Sequence, residues 1–376
     1  MLRGMGTIRS VHPPSLAGAS QDKSVSHAPV EGVGGLSDGA AGHAPVLLGP
    51  SLGGLRVVAG GRYLDGTFGG GGHTRAILDA AAPDGTVLAL DADPAAVARA
   101  EALAGSLAYR GRLTPAHANF AALADVAADH GATPLDGVLL DLGMSSFQLD
   151  AADRGFAFRF EGPLDMRFDP TRGERAATLV NELDAEALAT ILFRYGDESR
   201  SRRIARAIVA ARDRRPITTT AALAATIEAA VGGRRGAPTH PATRSFQALR
   251  IAVNDELVAL HAGLEGAVMT LRPGGRLAVI SFHSLEDRIV KRFITERSAT
   301  CTCPPEMPVC TCDVRPALRK VGGSVRADEV ERLANPRSRS ATLRVAERTE
   351  HPIPAPAAGG DGAWDASRSV GLGGRR

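Results

Sequence analysis

The chain has 376 residues, 44% hydrophobic and 23% charged, the composition of an ordinary globular protein long enough for two domains or one domain with a large insertion. Its net charge of +3 excludes broad electrostatic attraction to nucleic acid, so any such contact has to come from local clusters of arginine. No run approaches the ~20 apolar residues of a membrane span, so no membrane partner is expected.

Residues 1–42 carry scattered Gly, Ser, Pro and His without the apolar core of a signal peptide, and read as a disordered tail. From 43 to 147 the pattern alternates strands with helices, which predicts a parallel sheet covered on both faces. An apolar run ends at Asp65; Gly66-Thr67-Phe68, four glycines (Gly69 to Gly72), His73 and a helical stretch from Thr74 to Ala82 follow. Strand, tight turn and helix N-terminus let a nucleotide-like ligand approach bare backbone. A second strand, Thr86 to Leu90, closes on Asp91, whose carboxylate suits a ribose diol. Next come a helix from Pro94 to Ala104, a strand near Leu113 to Ala116, and Asn119-Phe120, where the ring offers a face to a base. A helix from Ala121 to His130 and a buried strand, Leu135 to Asp141, complete this part.

The glycines do not fit a dinucleotide fingerprint, since the sixth position counted from Gly69 is Thr74, and the chain has no Gly-x-x-x-x-Gly-Lys-Ser/Thr phosphate loop. Acid-Gly-x-x-Gly-x-Gly with a ribose acid one strand later resembles the S-adenosylmethionine site of Rossmann-like class I methyltransferases. That ligand is a sulfonium with an amino-acid end and no pyrophosphate, so carboxylates beside the loop attract it.

Between 148 and 265 the signals are helical: Asp184–Tyr195, Glu198–Arg212, Thr219–Val231 and Pro241–Leu271. From Arg194 to Arg250 twelve arginines face four acids, a local excess of +8 that includes Arg203, Arg206, Arg244 and Arg250. Guanidinium forks suit phosphates, so this all-helical insertion is expected to bind RNA. From 266 to 348 the sheet resumes, with a turn at Arg272–Gly275, a strand Arg276–Ser281, a helix Leu285–Glu296 begun by a capping box of Ser284 and Asp287, and a strand Ala341–Ala346. Residues 349–376 read as a second flexible tail.

Cys301, Cys303, Cys310 and Cys312 form two Cys-x-Cys pairs. Two readings stand for them: thiolate ligands of a structural zinc, or a reduced, proline-stiffened loop. No other metal role is expected.

Asp141-Leu142-Gly143-Met144 follows the fourth strand, where an amine acceptor would sit. An exocyclic amine on a pyrimidine is a poor nucleophile, and an acceptor for its N–H would localise the lone pair and receive the proton. Asp141 is the carboxylate placed to do so; capping a helix N-terminus or binding the cofactor's amino group are its other readings. DNA amino-methyltransferases carry Asp/Asn-Pro-Pro-Tyr at this point, and this chain lacks both prolines and the aromatic, so DNA is not the expected partner. His283 is a candidate base, with polar loop filling as the alternative.

Tyr63–His73, Asp141–Gln148, Arg154-Gly155-Phe156, Gly162–Arg167, His240–Phe246, Ser281–Arg292 and Asn335-Pro336-Arg337 together resemble the bacterial small-subunit ribosomal RNA cytosine-N4-methyltransferase family, over about His43 to Arg348. The resemblance implies methyl transfer from S-adenosylmethionine to the N4 amine of one cytidine in the decoding region of 16S ribosomal RNA, in the cytoplasm, on free RNA or the small subunit. It also implies that Gly71, Gly72, His73, Asp91, Phe120, Asp141 and Gln148 contact the cofactor. One departure is that Gly49 and Pro50 stand where the family usually has acids. The competing expectation from another class is a non-catalytic RNA-binding assembly factor that keeps the fold.

Overall fold

The computed structural model describes residues 44–353, except 235, 237, 238, 302 and 304–311. The two expected tails, apart from 349–353, lie outside the described residues, as do Arg235 and Cys310.

In chain order the first half comprises α1 (Leu48–Leu55), β1 (Arg62–Asp65), α2 (Gly72–Ala80), β2 (Thr86–Asp91), α3 (Pro94–Ala104), β3 (Leu113–His117), α4 (Leu123–Asp129), β4 (Leu135–Asp141) and α5 (Ser146–Asp150). A run of helices follows: α6 (Ala176–Glu182), α7 (Ala185–Gly196), α8 (Ser201–Arg212), α9 (Thr220–Val231), α10 (Thr243–Asn254) and α11 (Glu256–Thr270). The chain closes with β5 (Leu271–Ser281), α12 (Ser284–Arg297), β6 (Leu318–Lys320), β7 (Val325–Arg326), α13 (Glu329–Ala334) and β8 (Thr342–Arg348).

The strands form one sheet in the order β3-β2-β1-β4-β5-β8-β6, with β7 also pairing β8. β1 to β5 are mutually parallel, whereas β8 runs antiparallel to β5 and β6 to β8. This is a doubly wound, Rossmann-like sheet whose order reverses between β1 and β4, the crevice where such folds bind ligands. Successive side chains point to opposite faces, so Tyr63, Val87, Leu139 and Ile280 pack with Leu55, Ile77 and Ala96 on one side. Leu64, Leu88, Leu140 and Val279 pack with Leu123, Leu264 and Phe293 on the other.

The helices between β4 and β5 bury a core of their own, including Val180, Leu188, Ile191, Ile204, Ile227 and Phe246. On α8, Ile204, Ala205 and Ile208 face inward while Arg202, Arg203 and Arg206 are exposed, as the amphipathic spacing requires. The stretch expected as one helix from Pro241 to Leu271 is two. Asp255 adopts a left-handed conformation (φ 48°), ends α10 and starts α11. The helix expected from Leu285 begins at Ser284, and its capping box is His283 with Glu286 rather than Ser284 with Asp287.

Candidate functional site

The loop after β1 is held from behind. Asp65 Oδ2 accepts the Thr74 hydroxyl at 2.6 Å and Oδ1 accepts the Thr67 amide at 3.1 Å. With 1% of its surface exposed, Asp65 has nothing to offer a ligand, and the expectation that it contacts the cofactor is corrected to a bracing role. Its two oxygens are used in tying the glycine loop to the first turn of α2. Gly71 caps that helix at φ 74°, and a Cβ there would lie 2.5 Å from the Phe68 ring, so only glycine fits. Gly72 opens α2, whose first backbone amides have no intrahelical acceptor.

Asp91, at the carboxyl end of β2, accepts the Gly69 amide through Oδ2 at 2.7 Å and the Asp93 amide through Oδ1 at 2.8 Å. Burial pushes its carboxyl up to about 6, against the pull of those two amides. The carboxylate thus fixes the loop and, being only half-buried, keeps lone pairs for a diol.

Asp141 ends β4. Its amide donates to Thr67 Oγ1 at 2.7 Å, and its Oδ2 lies 3.5 Å from Nδ1 of His73. The other nitrogen of His73 sits 3.1 Å from the Val46 carbonyl, an acceptor, so Nε2 carries a proton. Burial raises the Asp141 carboxyl to about 6; His73 opposes the rise, and Asp65 and Glu286 add to it. Asp141 Oδ1 is buried and has no hydrogen-bond partner among the described residues.

Other expected contacts are more committed to the protein. Gln148 is buried; its Oε1 accepts the Ser145 amide at 3.0 Å and its Nε2 donates to Asp93 Oδ2 at 3.1 Å. Phe120 is half-buried and packs against Gly263 of α11, where a Cβ would meet its ring at 2.6 Å. Asn119 spends its carbonyl oxygen on the Ala121 amide.

Several residues not named as cofactor contacts from the sequence complete the site. Asp93 is buried and pairs with Arg154 at 2.7 Å; Arg154 also donates to the carbonyls of Arg167 and Phe168. Arg99 donates to the Gly69 carbonyl and lies 4.2 Å from the centre of the Phe147 ring, which is half exposed beside Gly70. For Asp93 the available signal was the Asp93-Pro94 pair, which reads as an N-cap and first helical residue; Arg154 and Phe147 stood within the motifs of the family resemblance. The segment before α1 also belongs to the site: Glu331 accepts the Leu47 amide at 2.6 Å and Asn335 donates to the Ala44 carbonyl at 2.9 Å.

Beyond Asp141, at the end of β5, His283 Nε2 lies 3.1 Å from Glu286 Oε1, and Glu286 accepts the amides of Phe282 and His283. Burial pushes Glu286 up, but His283 and Arg250 outweigh it and hold the carboxyl below the ordinary glutamate value. Arg250 is buried, and both of its fork nitrogens donate to Glu256 at 2.6 and 2.8 Å. The expectation that Arg250 faces RNA is therefore corrected: it is a core cation. Arg203, Arg206 and Arg244 are exposed. Arg203 and Arg206 line a groove of about 960 Å³ between α7 and α8, together with Arg200, Arg202 and the exposed ring of Phe193.

A reversing parallel sheet, a glycine loop after β1 and carboxylates at the ends of β2 and β4 define a Rossmann-like, S-adenosylmethionine-dependent methyltransferase. Residues 40–349 match the model of the MraW methylase family. The ribosomal RNA small subunit methyltransferase H of Thermomicrobium roseum is 59% identical over 310 residues, which span 82% of this chain and 94% of that protein. Proteins of the same name from Dehalococcoides mccartyi and Stenotrophomonas maltophilia are 47% identical over 332 residues and 50% identical over 315. These matches span 88% and 84% of this chain and 91% and 96% of the relatives. The chain belongs to the MraW methylase family. Among the described residues, no helix is long and apolar enough to cross a membrane.

Proposed function

We propose that this protein transfers the methyl group of S-adenosylmethionine to the exocyclic N4 amine of one cytidine in the 16S ribosomal RNA of the small subunit, in the cytoplasm. The observation that carries the reading is the buried Asp141 Oδ1, a polar atom without a partner at the switch point of the sheet. Such an atom asks for a hydrogen-bond donor, and a cationic amino group or an amine N–H is one. The glycine backbone at Gly71 and Gly72 and the half-buried Asp91 fit the same cofactor.

When bound, S-adenosylmethionine supplies an electrophilic methyl group. The chain's own share is placement. Asp91 would hold the ribose, the amides of the loop and of α2 would approach the ligand without side chains, and His73 stands beside Asp141 Oδ2. Asp93, held by both Gln148 and Arg154, would brace the pocket, and Phe120 would offer its ring to the adenine. Asp141 either receives the amine N–H or holds the cofactor's amino group. In both roles alignment of donor and acceptor supplies much of the rate.

The helical segment 148–265 serves as the RNA-facing domain. Arginines on one wall and an exposed phenylalanine suit a backbone with unstacked bases. Purified protein, labelled S-adenosylmethionine and small subunits from a strain lacking the enzyme provide the test. Nucleoside mass spectrometry should show N4-methylcytidine gained in 16S RNA. Label on another nucleoside refutes the substrate; no label with intact cofactor binding favours an assembly factor.

A further inference from the structure

We propose that Cys301, Cys303 and Cys312 hold a zinc ion between α12 and β6, a structural site separate from the methyl-transfer pocket. The three sulfurs lie within 4.8 Å of one another, although eight residues separate Cys303 from Cys312 in the chain. Thiolates at about 2.3 Å from a tetrahedral zinc stand about 3.8 Å apart, so the cluster needs only a small contraction to close on the ion. The amide of Cys303 already donates to Cys301 Sγ at 3.4 Å. A backbone N–H aimed at sulfur favours the thiolate, which is the ligand form.

Sulfur donors select zinc over magnesium or calcium, and three thiolates leave one tetrahedral corner for a further donor. Each thiol releases its proton to solvent as its bond to the metal forms. No residue of the group lies on the ends of β1, β2 or β4, where the carboxylates of the methyl-transfer pocket stand, so the ion is assigned a structural role. Its effect is to tie Cys312, which precedes β6, to Cys301 and Cys303, which follow α12.

The test is the zinc content of the full-length protein, purified under reducing conditions without chelator and measured by plasma mass spectrometry. The expected result is about one zinc per chain, falling at least tenfold in the Cys301→Ser, Cys312→Ser double variant while S-adenosylmethionine binding is retained. If that variant fails to fold, p-hydroxymercuribenzoate added to the parent protein releases zinc to a coloured chelator as the thiols react. Cobalt in place of zinc gives the sulfur-to-metal charge-transfer bands of a tetrahedral thiolate site. Parent protein that takes up no metal from zinc chloride, iron in place of zinc, or a double variant that keeps its zinc overturns the proposal.

Discussion

Nδ1 of His73 lies 3.5 Å from Oδ2 of Asp141, and Nε2 of the same ring is 3.1 Å from the Val46 carbonyl. The imidazole thus links the segment before α1 to the carboxylate at the end of β4. Its Nδ1 faces Oδ2 of Asp141, whose Oδ1 has no hydrogen-bond partner among the described residues.

The first prediction concerns pH. Burial places the carboxyls of Asp91 and Asp141 at about 6 in the ligand-free protein. Both have to be ionised to hold a diol and a cation well. Affinity for S-adenosylmethionine should therefore be flat above about pH 7 and fall as the pH drops through 6, by at most about tenfold per unit for each group. Calorimetric titration between pH 5 and 8 measures this, and a flat profile refutes it.

Replacing the charge separates stability from binding. The Asp141 carboxyl is at about 6 when folded against an ordinary value of 3.8, so unfolding releases a proton between those values. Stability contributed by this group falls as the pH rises from about 4 to 6, and above 6 the buried anion is a standing cost. Asp141→Asn should accordingly keep or raise the ligand-free melting temperature at pH 7.5 while methyl transfer falls at least a hundredfold. A lower melting temperature with activity retained would reverse both assignments.

Backbone conformation gives the third prediction. Gly71→Ala places a Cβ 2.5 Å from the Phe68 ring at φ 74°. The strain and the displaced ring should cost about 1–3 kcal/mol of stability and weaken cofactor binding. Urea unfolding with the titration above checks it, and unchanged values in both contradict the reading of the loop.

Buried charge pairing gives the fourth. Arg154→Ala leaves Asp93 buried without its guanidinium partner, a loss of about 3 kcal/mol. Adding Asp93→Asn should recover part of the stability. A double variant less stable than the sum of the two single changes would show that the pair is not the source.

RNA contact gives the fifth. Arg203→Glu with Arg206→Glu should weaken binding to 16S RNA at least tenfold and lower its salt dependence, with affinity for S-adenosylmethionine unchanged. Equal loss of both affinities would indicate misfolding instead.

Local chemistry made much of this legible. Proline at a first helical position placed α3 at Pro94–Ala104, as found. The apolar run ending in an acid gave β4, and the glycines gave the turn into α2. What was hidden depends on contacts distant in sequence. The break at Asp255 involves no glycine or proline, so a continuous apolar pattern read as one helix. Arg250 belonged by count to a basic cluster, but its partner Glu256 lies across that break, at a spacing no single helix would bring together. Arg154 meets Asp93 from 61 positions away. Asp65 resembled a ligand contact because it stands at a strand end, yet its oxygens are taken by Thr67 and Thr74.

The bonds from Glu331 to Leu47 and from Asn335 to Ala44 have a consequence for biosynthesis. The stretch that steadies His73 is made well before the side chains that anchor it, which follow 284 and 291 positions later. A nascent polypeptide shorter than about 335 residues lacks that anchor. The enzyme therefore gains this fastening only after Asn335 has been added, 291 positions beyond the segment it holds.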